Sequence, residues 1–224
     1  MCGRFSQTSP AEVVVEHFGL DDIPLFLTPH YNIAPSQLVA GVRVNPEFGK
    51  RECVQMRWGL IPTWAKAPAI GYKMINARAE TAAEKPAFRG PFRRRRCLIL
   101  ADGFYEWQRE GKRKQPFYIR LKDRRPFAFA GLWDRWEPQG RESIESCTIL
   151  TTGPNDVLQP IHDRMPVIVD PQAYSLWLDP TVQAVEALQL ILQPYPADRM
   201  ETYPVSLLVN NPRHDAPACL EPVS

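Results

Sequence analysis

The first residues of the chain, Met1-Cys2-Gly3-Arg4-Phe5, place a cysteine directly after the initiator methionine. Methionine aminopeptidases remove Met1 when the next side chain is small, so the mature chain is expected to begin with Cys2. Cys2 would then carry a free α-amine and a thiol on adjacent carbons, and these groups titrate near ~8 and ~8.5. Both are partly nucleophilic at neutral pH, which indicates chemistry that an internal cysteine cannot perform. The alternative is that Cys2 belongs to a frayed terminus.

Three further segments, residues 74–81, 101–107 and 161–166, mix charged or amide side chains with apolar ones. Each lies where a strand is expected to end or a loop to begin, which is where site residues are commonly mounted. The interpretation as a site depends on these segments occurring together with the N-terminal cysteine.

Each candidate in these segments also has an ordinary structural interpretation. Asn76 could cap a turn. Glu106, between two aromatic residues of a strand, could lie on the solvated face. His162 could form a surface pair with the aspartate beside it, and Arg78 and Arg164 could form salt bridges.

Composition and missing motifs restrict the class of function. The net charge of +2 neither requires nor excludes a nucleic-acid partner. The five cysteines are odd in number, widely spaced and without a Cys-x-x-Cys pair, which favours a reduced, cytoplasmic protein without a zinc site. No secretory signal or membrane-length apolar stretch is present. Because phosphate-binding, dinucleotide-binding and zincin motifs are absent and the four histidines form no obvious cluster, we expect no cofactor and no metal.

The elements that would position these residues are short. Ser9-Pro10-Ala11-Glu12 predicts a helix start with a capping box, and Gly19 its end after Phe18. A second helix is expected over residues 182–192, stopped by Pro194, and one or two helical turns over residues 81–88. Strands are predicted at residues 38–44, 54–58, 97–101, 104–108, 117–121, 127–133, 147–152 and 167–169. A hairpin turn is predicted at residues 109–112, and loops at 31–35 and 59–64. The basic runs 93–96 and 112–114 are most simply interpreted as solvated loops.

The segments, taken in order, resemble the SRAP family, the "SOS response-associated peptidase" domain, whose members shield abasic sites in single-stranded DNA. The resemblance covers nearly the whole chain. Its motifs are Cys2-Gly3-Arg4-Phe5, Tyr31-Asn32-Ile33-Ala34-Pro35, Trp58-Gly59-Leu60, Ile75-Asn76-Ala77-Arg78-Ala79-Glu80-Thr81, residues 97–107, Lys114-Gln115-Pro116-Phe117-Tyr118, Ile161-His162-Asp163-Arg164-Met165-Pro166, Val205 and Val209-Asn210-Asn211. It implies one α+β domain over residues 1–224, with a barrel-like core of short, mostly antiparallel strands and a few peripheral helices. The chain is similar to the bacterial form, and it has a single Trp64 where some relatives have an aromatic pair.

The resemblance also implies roles for particular residues. Cys2, Asn76, Glu106 and His162 are expected to be catalytic, with Cys2 closing a thiazolidine on the aldehyde of an abasic site. His162 would help to open the sugar, Glu106 would move the amine proton, and Asn76 would hydrogen-bond the sugar. The expected DNA contacts are Arg4, Asn32, Pro35, Trp64, Arg78, Trp107, Thr151 and Arg164.

The implied protein is an enzyme of a lyase-like, self-processing peptidase class. Its expected partner is single-stranded DNA that contains abasic sites, with no membrane, no nucleotide cofactor and a monomeric state. It is expected to be cytoplasmic and associated with the nucleoid when bound to DNA.

Two other hypotheses remain open at this point. Glutamine amidotransferases with an N-terminal nucleophile also begin Met-Cys-Gly. They typically continue with a small apolar residue, where this chain has Arg4. A DNA-binding module without catalysis would leave Cys2 without a purpose.

Overall fold

The structure is a computed structural model that describes residues 2–111, 113–140 and 142–223. Its strands are β1 Phe5–Gln7, β2 His30–Ile33, β3 Leu38–Val44, β4 Arg51–Trp58, β5 Asn76–Arg78, β6 Arg96–Ala101, β7 Gly103–Glu110, β8 Arg113–Leu121, β9 Phe127–Trp136, β10 Ile144–Thr152, β11 Met165–Pro166, β12 Ile168–Val169 and β13 Met200–Pro204. The α-helices are α1 Ala11–Phe18, α2 Ala79–Ala82, α3 Arg89–Arg94, α4 Tyr174–Leu178 and α5 Val185–Gln189. Short 3-10 turns cover Pro68–Lys73, Pro171–Ala173, Ala197–Arg199, Leu207–Asn210 and Pro217–Cys219.

Five of the described strands close a small barrel. The pairings run β10-β4-β3-β6-β9, and β9 pairs again with β10. The β4–β10 pair is parallel, whereas the other four pairs of this ring are antiparallel. β5 adds to β10 in parallel, with Asn76 beside Ile149 and Arg78 beside Thr151. A closed ring leaves no free edge among these five strands.

A second sheet packs against this barrel, with strand order β13-β8-β7-β1-β2. A core cluster joins the two: Phe5 of β1 and Phe104 of β7 contact Phe129 of β9 at ring-centroid distances of 5.6 and 5.9 Å. Phe5 also packs edge-on against Trp58, 5.1 Å away. Burial of these aromatic rings is the main favourable contribution to the contact between the sheets.

The outer surfaces are covered by helices and by the C-terminal segment. A second core cluster joins Phe18 of α1, Phe92 of α3 and Trp177 of α4 to Leu98 and Leu100 of β6. A third, smaller cluster buries Tyr105 and Tyr118 under Val205 and Val209. Strand β7 is therefore covered on both faces, because Phe104 belongs to the first cluster and Tyr105 to the third.

Gly103, at the start of β7, permits a close approach between neighbouring strands of the second sheet. A Cβ at this position would lie 2.2 Å from the Tyr118 ring. The Tyr118 hydroxyl is 2.7 Å from the Ser6 hydroxyl of β1. The contact joins β8 to β1 across β7 and so helps to fix the N-terminal strand.

The α+β class with a barrel-like core is confirmed. The strand at residues 38–44 has the predicted bounds, and the strands predicted from residue 97 to residue 152 form, extended by one to four residues at one or both ends. Residues 59–64 form a loop, as predicted. The hairpin between β7 and β8 is present, although Lys112 of its predicted turn lies outside the described residues.

Several local predictions are wrong. Ser9 does not cap α1, since its hydroxyl and backbone N–H donate to Asp102 instead, and Pro10 occupies the cap position. The helix predicted over residues 182–192 contracts to α5. β2 replaces most of the predicted loop at 31–35 because it pairs with β1.

The arginine run at residues 93–96 is not a solvated loop. Arg93 and Arg94 are exposed at the end of α3, Arg95 connects the two elements, and Arg96 begins β6. Arg96 is 3% exposed and donates to the carbonyl oxygens of Trp177, Phe92 and Arg93 at 2.6, 2.7 and 2.8 Å. A guanidinium has five donors and can replace its hydration with backbone acceptors, which explains its burial.

In the described part of the chain, no helix has the length and apolarity needed to cross a membrane. The same residues contain no group of three or more side chains placed to hold a metal ion.

Candidate active site

An open cleft of about 390 Å³ lies beside the β7–β8 hairpin of the second sheet. Its lining residues are Glu106, Trp107, Arg109, Lys114, His162 and Asn210. The first three come from β7 and Lys114 from β8, while His162 precedes β11 and Asn210 ends a 3-10 turn. Two of the four predicted catalytic residues therefore share one cleft.

Cys2 and Glu106 are brought together by the pairing of β1 with β7. Phe5 lies opposite Phe104, and the Tyr105 N–H donates to the Arg4 carbonyl at 3.0 Å. Cys2, three residues before Phe5, lies in the same core cluster as Phe5 and Phe104, and the Glu106 charge acts on its thiol. Both side chains are buried, Cys2 completely and Glu106 to 2% exposure.

Burial controls the ionisation of this pair. It raises the pKa of the Glu106 carboxyl to about 7. Burial, and then the Glu106 charge, raise the pKa of the Cys2 thiol well above its ordinary value. At neutral pH the thiol is therefore protonated, and the carboxyl titrates close to that pH.

The burial of Glu106 corrects the interpretation of this residue as a solvated strand position. Glu106 shares the face of β7 that carries Phe104, which packs into the core between the sheets. A charged side chain that is almost fully buried is uncommon and often marks a functional position.

His162 is held by the backbone of its own loop. Its N–H donates to the Leu158 carbonyl at 2.8 Å, and its Nδ1 accepts from the Arg164 N–H at 3.0 Å. The Asp163 carboxylate is also 2.9 Å from Nδ1 but is 89% exposed. Burial lowers the pKa of His162, so its neutral form dominates at pH 7. The two Nδ1 contacts favour opposite tautomers: the Arg164 N–H can only donate, which favours a proton on Nε2, whereas the Asp163 carboxylate favours one on Nδ1. Because Asp163 is largely solvated, we assign the proton of the neutral ring to Nε2.

Asn76 lies at the start of β5, and its Nδ2 donates to the Ile75 carbonyl at 3.0 Å. Within the described residues its Oδ1 is buried and accepts no hydrogen bond. Ile75 packs against the core cluster that contains Cys2. Asn76 does not line the cleft itself, so its expected contact with a sugar stays a prediction.

Arg4 and Asn32 form a buried junction with the C-terminal segment. The Arg4 guanidinium donates to Asn32 Oδ1 and to the Val209 carbonyl, both at 2.7 Å, and lies 6.0 Å from the centre of the Trp107 ring. Asn32 is 1% exposed, and its Nδ2 donates to the His214 carbonyl at 2.7 Å. This geometry gives Asn32 a structural role, and its contact with DNA stays a prediction.

Four other predicted DNA contacts differ in accessibility. Arg78 is exposed, Pro35 and Trp107 are partly exposed, and Trp64 is 58% exposed. The Trp107 Nε1–H donates to Asn210 Oδ1 at 2.7 Å, which fixes its ring beside the cleft. Arg78 and Trp64 are the most open of the set.

Thr151 and Arg164 are much less open. Thr151 is fully buried in β10. The Arg164 guanidinium is 16% exposed, forms a two-point ion pair with Glu80 at 2.6 and 2.9 Å, and donates to the Thr151 carbonyl at 2.5 Å. Both residues therefore make internal contacts, and their roles as DNA contacts stay predictions.

Sequence reasoning missed three residues that line the cleft, Arg109, Lys114 and Asn210, and also Glu80, which binds Arg164. Lys114, Asn210 and Glu80 lie inside the motifs that carried the family resemblance, and this was the available signal. Arg109 lies opposite Lys114 in the β7–β8 pair, which only the hairpin register reveals.

The comparisons with known proteins agree with this fold. The sequence model of the family described as SOS response associated peptidase (SRAP) matches residues 1–212. The chain belongs to this family.

Curated relatives carry a common description. The chain is 47% identical over 227 residues to abasic site processing protein YoqW of Bacillus subtilis, covering 99% of each chain. It is 36% identical over 222 residues to abasic site processing protein HMCES of Xenopus tropicalis, covering 86% of this chain and 65% of that protein. Among solved structures, a protein from Bacteroides thetaiotaomicron superposes with a TM-score of 0.89 at 28% identity, covering all of both chains.

Proposed function

We propose that this protein processes abasic sites, and that it does so by capturing them covalently in single-stranded DNA. The captured form is a thiazolidine on Cys2 after removal of Met1. The observation that carries the proposal is the buried Glu106 carboxyl, with a pKa of about 7, beside the buried Cys2. The names of the curated relatives support the choice of lesion.

The chemistry joins three groups and releases one water. The α-amine of Cys2 adds to the C1′ aldehyde of the ring-opened sugar, and the resulting carbinolamine loses water to give an imine. The thiol then adds to the same carbon, its proton passing to the imine nitrogen. One C–N and one C–S bond form while the C=O bond is lost, and closure is fast because both nucleophiles belong to one residue.

The Glu106 carboxyl can carry out the proton transfers that these reaction steps require. The carboxylate accepts a proton from the ammonium and later from the thiol, and the protonated carboxyl donates to the departing hydroxyl and then to the nitrogen. A group with a pKa near the working pH serves both directions, which general acid–base catalysis favours. The supporting fact is the raised pKa of Glu106.

His162 would act as a neutral hydrogen-bond donor through Nε2. Donation to the ring oxygen of the closed sugar favours the open aldehyde without full protonation of the imidazole. The Nδ1 contact with the Arg164 N–H and the lowered pKa of His162 support this form of the ring.

The DNA strand would follow the open residues around the cleft. Arg78 would pair with a phosphate, since its guanidinium is exposed, and Trp64 would stack on a base. Arg109 and Lys114 add two cations to the cleft wall. A complementary strand would cover the bases that Trp64 must reach, so single strands are the expected substrate.

The test is incubation with a single-stranded oligonucleotide that contains one abasic site, followed by denaturing electrophoresis. A shifted band is expected for the protein without Met1, with the product mass lower than the sum of its parts by one water.

Cys2→Ala should abolish the band, while Cys2→Ser should give only a labile imine that borohydride traps. Cys219→Ala is the matched control, because it removes another buried thiol and should leave capture unchanged. A stable crosslink in Cys2→Ala would refute the proposal.

A further inference from the structure

The loop that carries His162 is tied to its surroundings through Arg164. The Arg164 guanidinium binds both carboxylate oxygens of Glu80, at 2.6 and 2.9 Å. One of its nitrogens also donates to the Thr151 carbonyl at 2.5 Å and lies 3.3 Å from the Thr151 hydroxyl. The loop is thus connected to α2 through Glu80 and to β10 through Thr151.

A two-point pair between arginine and carboxylate fixes orientation as well as distance. The Arg164 side chain is only 16% exposed whereas that of Glu80 is 52% exposed, so the pair is shielded from water and salt on the arginine side. The Arg164 hydrogen bond holds the pKa of Glu80 below its ordinary value, and Glu80 is therefore ionised at neutral pH. The pair persists across the range in which the site works.

The orientation of Arg164 reaches His162 through the backbone. The Arg164 N–H donates to His162 Nδ1 at 3.0 Å, which favours a proton on Nε2. The Asp163 carboxylate, 2.9 Å from the same nitrogen, favours a proton on Nδ1, so the Arg164 contact opposes it. If the loop turns, Nδ1 loses its donor and the ring can adopt the other tautomer. Nε2 would then no longer present a proton.

We propose that Glu80 is a positioning residue: by holding Arg164 it keeps His162 in the Nε2–H tautomer, with that proton available to the substrate sugar. The expected effect of Glu80 on the capture reaction rests on the proposed function. Its expected effect on the His162 tautomer is independent of that function.

A competing interpretation is that Glu80 blocks a phosphate site on Arg164. The two interpretations predict opposite changes in the capture rate when Glu80 is neutralised. If Glu80 blocks phosphate, its neutralisation strengthens binding and accelerates capture. If Glu80 positions His162, neutralisation slows capture, while affinity for DNA stays equal or rises slightly because a negative charge is lost.

The first experiment compares Glu80→Gln with Glu84→Gln, using the oligonucleotide with one abasic site and an undamaged strand. Glu84 is an exposed carboxylate in the turn that follows α2, with no ion pair among the described residues, so it controls for charge alone. Glu80→Gln should lower the capture rate at saturating protein about tenfold, the size expected when the partner that orients a histidine is removed. The concentration for half-maximal capture and the affinity for the undamaged strand should not weaken. Faster capture in Glu80→Gln, or rates equal to Glu84→Gln, would overturn the proposal.

The second experiment reads the tautomer directly by long-range ¹H–¹⁵N correlation spectra of histidine-labelled protein. The chain has four histidines, and His162→Gln assigns the signal. Wild type and Glu84→Gln should show His162 as the Nε2–H form, and Glu80→Gln should show a mixture. An unchanged pure Nε2–H signal in Glu80→Gln would refute the positioning role. If wild type captures no abasic DNA, the proposed function fails, but this measurement still tests the link from Glu80 to His162.

Discussion

Two regions of the molecule bury charged side chains, and they do so with opposite results. One is the Cys2–Glu106 pair. The other is a cluster on the barrel in which Arg43 of β3 binds Glu52 at 2.7 Å and Glu145 at 3.0 Å and lies 4.1 Å from the centre of the Trp133 ring. Burial lowers the pKa of Arg43, but the hydrogen bonds to both glutamates outweigh it and raise that pKa above its usual value.

At Glu106 burial is again the largest influence, but here nothing outweighs it, and it raises the pKa of the carboxyl to about 7. The Arg43 cluster compensates its charges and so serves the stability of the barrel. The Glu106 carboxyl is held in a setting that opposes its ionisation, which costs stability at neutral pH and supplies a group able to exchange protons there. The difference separates a structural ionic cluster from a candidate catalytic one.

The largest expected effect comes from blocking the α-amine of Cys2. One additional residue before Cys2, or retention of Met1, turns the amine into an amide and removes the first nucleophile. The thiol and the cleft remain, so single-stranded DNA should bind normally while the thiazolidine falls by about 100-fold or more, the minimum expected when proximity is lost. Intact mass and denaturing electrophoresis measure both forms. Normal capture by a chain that retains Met1 would show that Cys2 does not act as an aminothiol.

Glu106→Gln tests how much folding stability the buried Glu106 carboxyl costs. The folded pKa, about 7, lies above the unfolded value, so the folded state binds more protons and stability falls as pH rises between about 4.5 and 7. The neutral amide of the variant has no such dependence, and above pH 7 the variant should be more stable than wild type by up to about 3 kcal/mol. The two should converge below pH 4.5 in urea titrations. Capture should slow by about 10²-fold or more. A variant less stable than wild type at pH 8 would contradict the argument.

Features of this site that are set by neighbouring residues were predictable from the sequence, whereas contacts between distant parts of the chain were not. The β3 strand and the β7–β8 hairpin follow from local alternation and turn residues, and the site motifs were recognisable in order. The burial of Glu106 was not predictable locally, because the face of β7 that carries it is covered by the barrel. The contact of Ser9 with Asp102 and of Arg164 with Glu80 spans 93 and 84 residues, and only the folded chain brings these partners together.

Arg43→Met tests the structural role of the ionic cluster on the barrel. Removal of the guanidinium leaves Glu52 and Glu145 without their shared partner, while the methionine side chain retains some packing on Trp133. Breaking such a partly buried network should cost about 2 kcal/mol, below the 3–5 kcal/mol of a fully buried pair. Urea midpoints should fall while capture by the folded protein stays at the wild-type rate. Loss of capture in fully folded Arg43→Met would mean that the cluster is not purely structural.

The smallest expected effect is on the DNA track, at Arg78. Its side chain is exposed at the end of β5, and the structure gives it no ion pair or hydrogen bond within the described residues, so its charge is available to a phosphate. Arg78→Ala should weaken binding to all single strands by a similar factor and reduce the slope of log K against log salt by about 0.7. Lys122→Ala is the matched control, because Lys122 is an exposed cation in the turn at the opposite end of β8 from Lys114 and does not line the cleft. The capture rate at saturating protein should remain near wild type for both variants, since neither residue contacts the reacting groups. An unchanged salt slope in Arg78→Ala, or a slope reduced equally in Lys122→Ala, would remove Arg78 from the phosphate contacts and leave the cations of the cleft wall, Arg109 and Lys114, as the sites to test next.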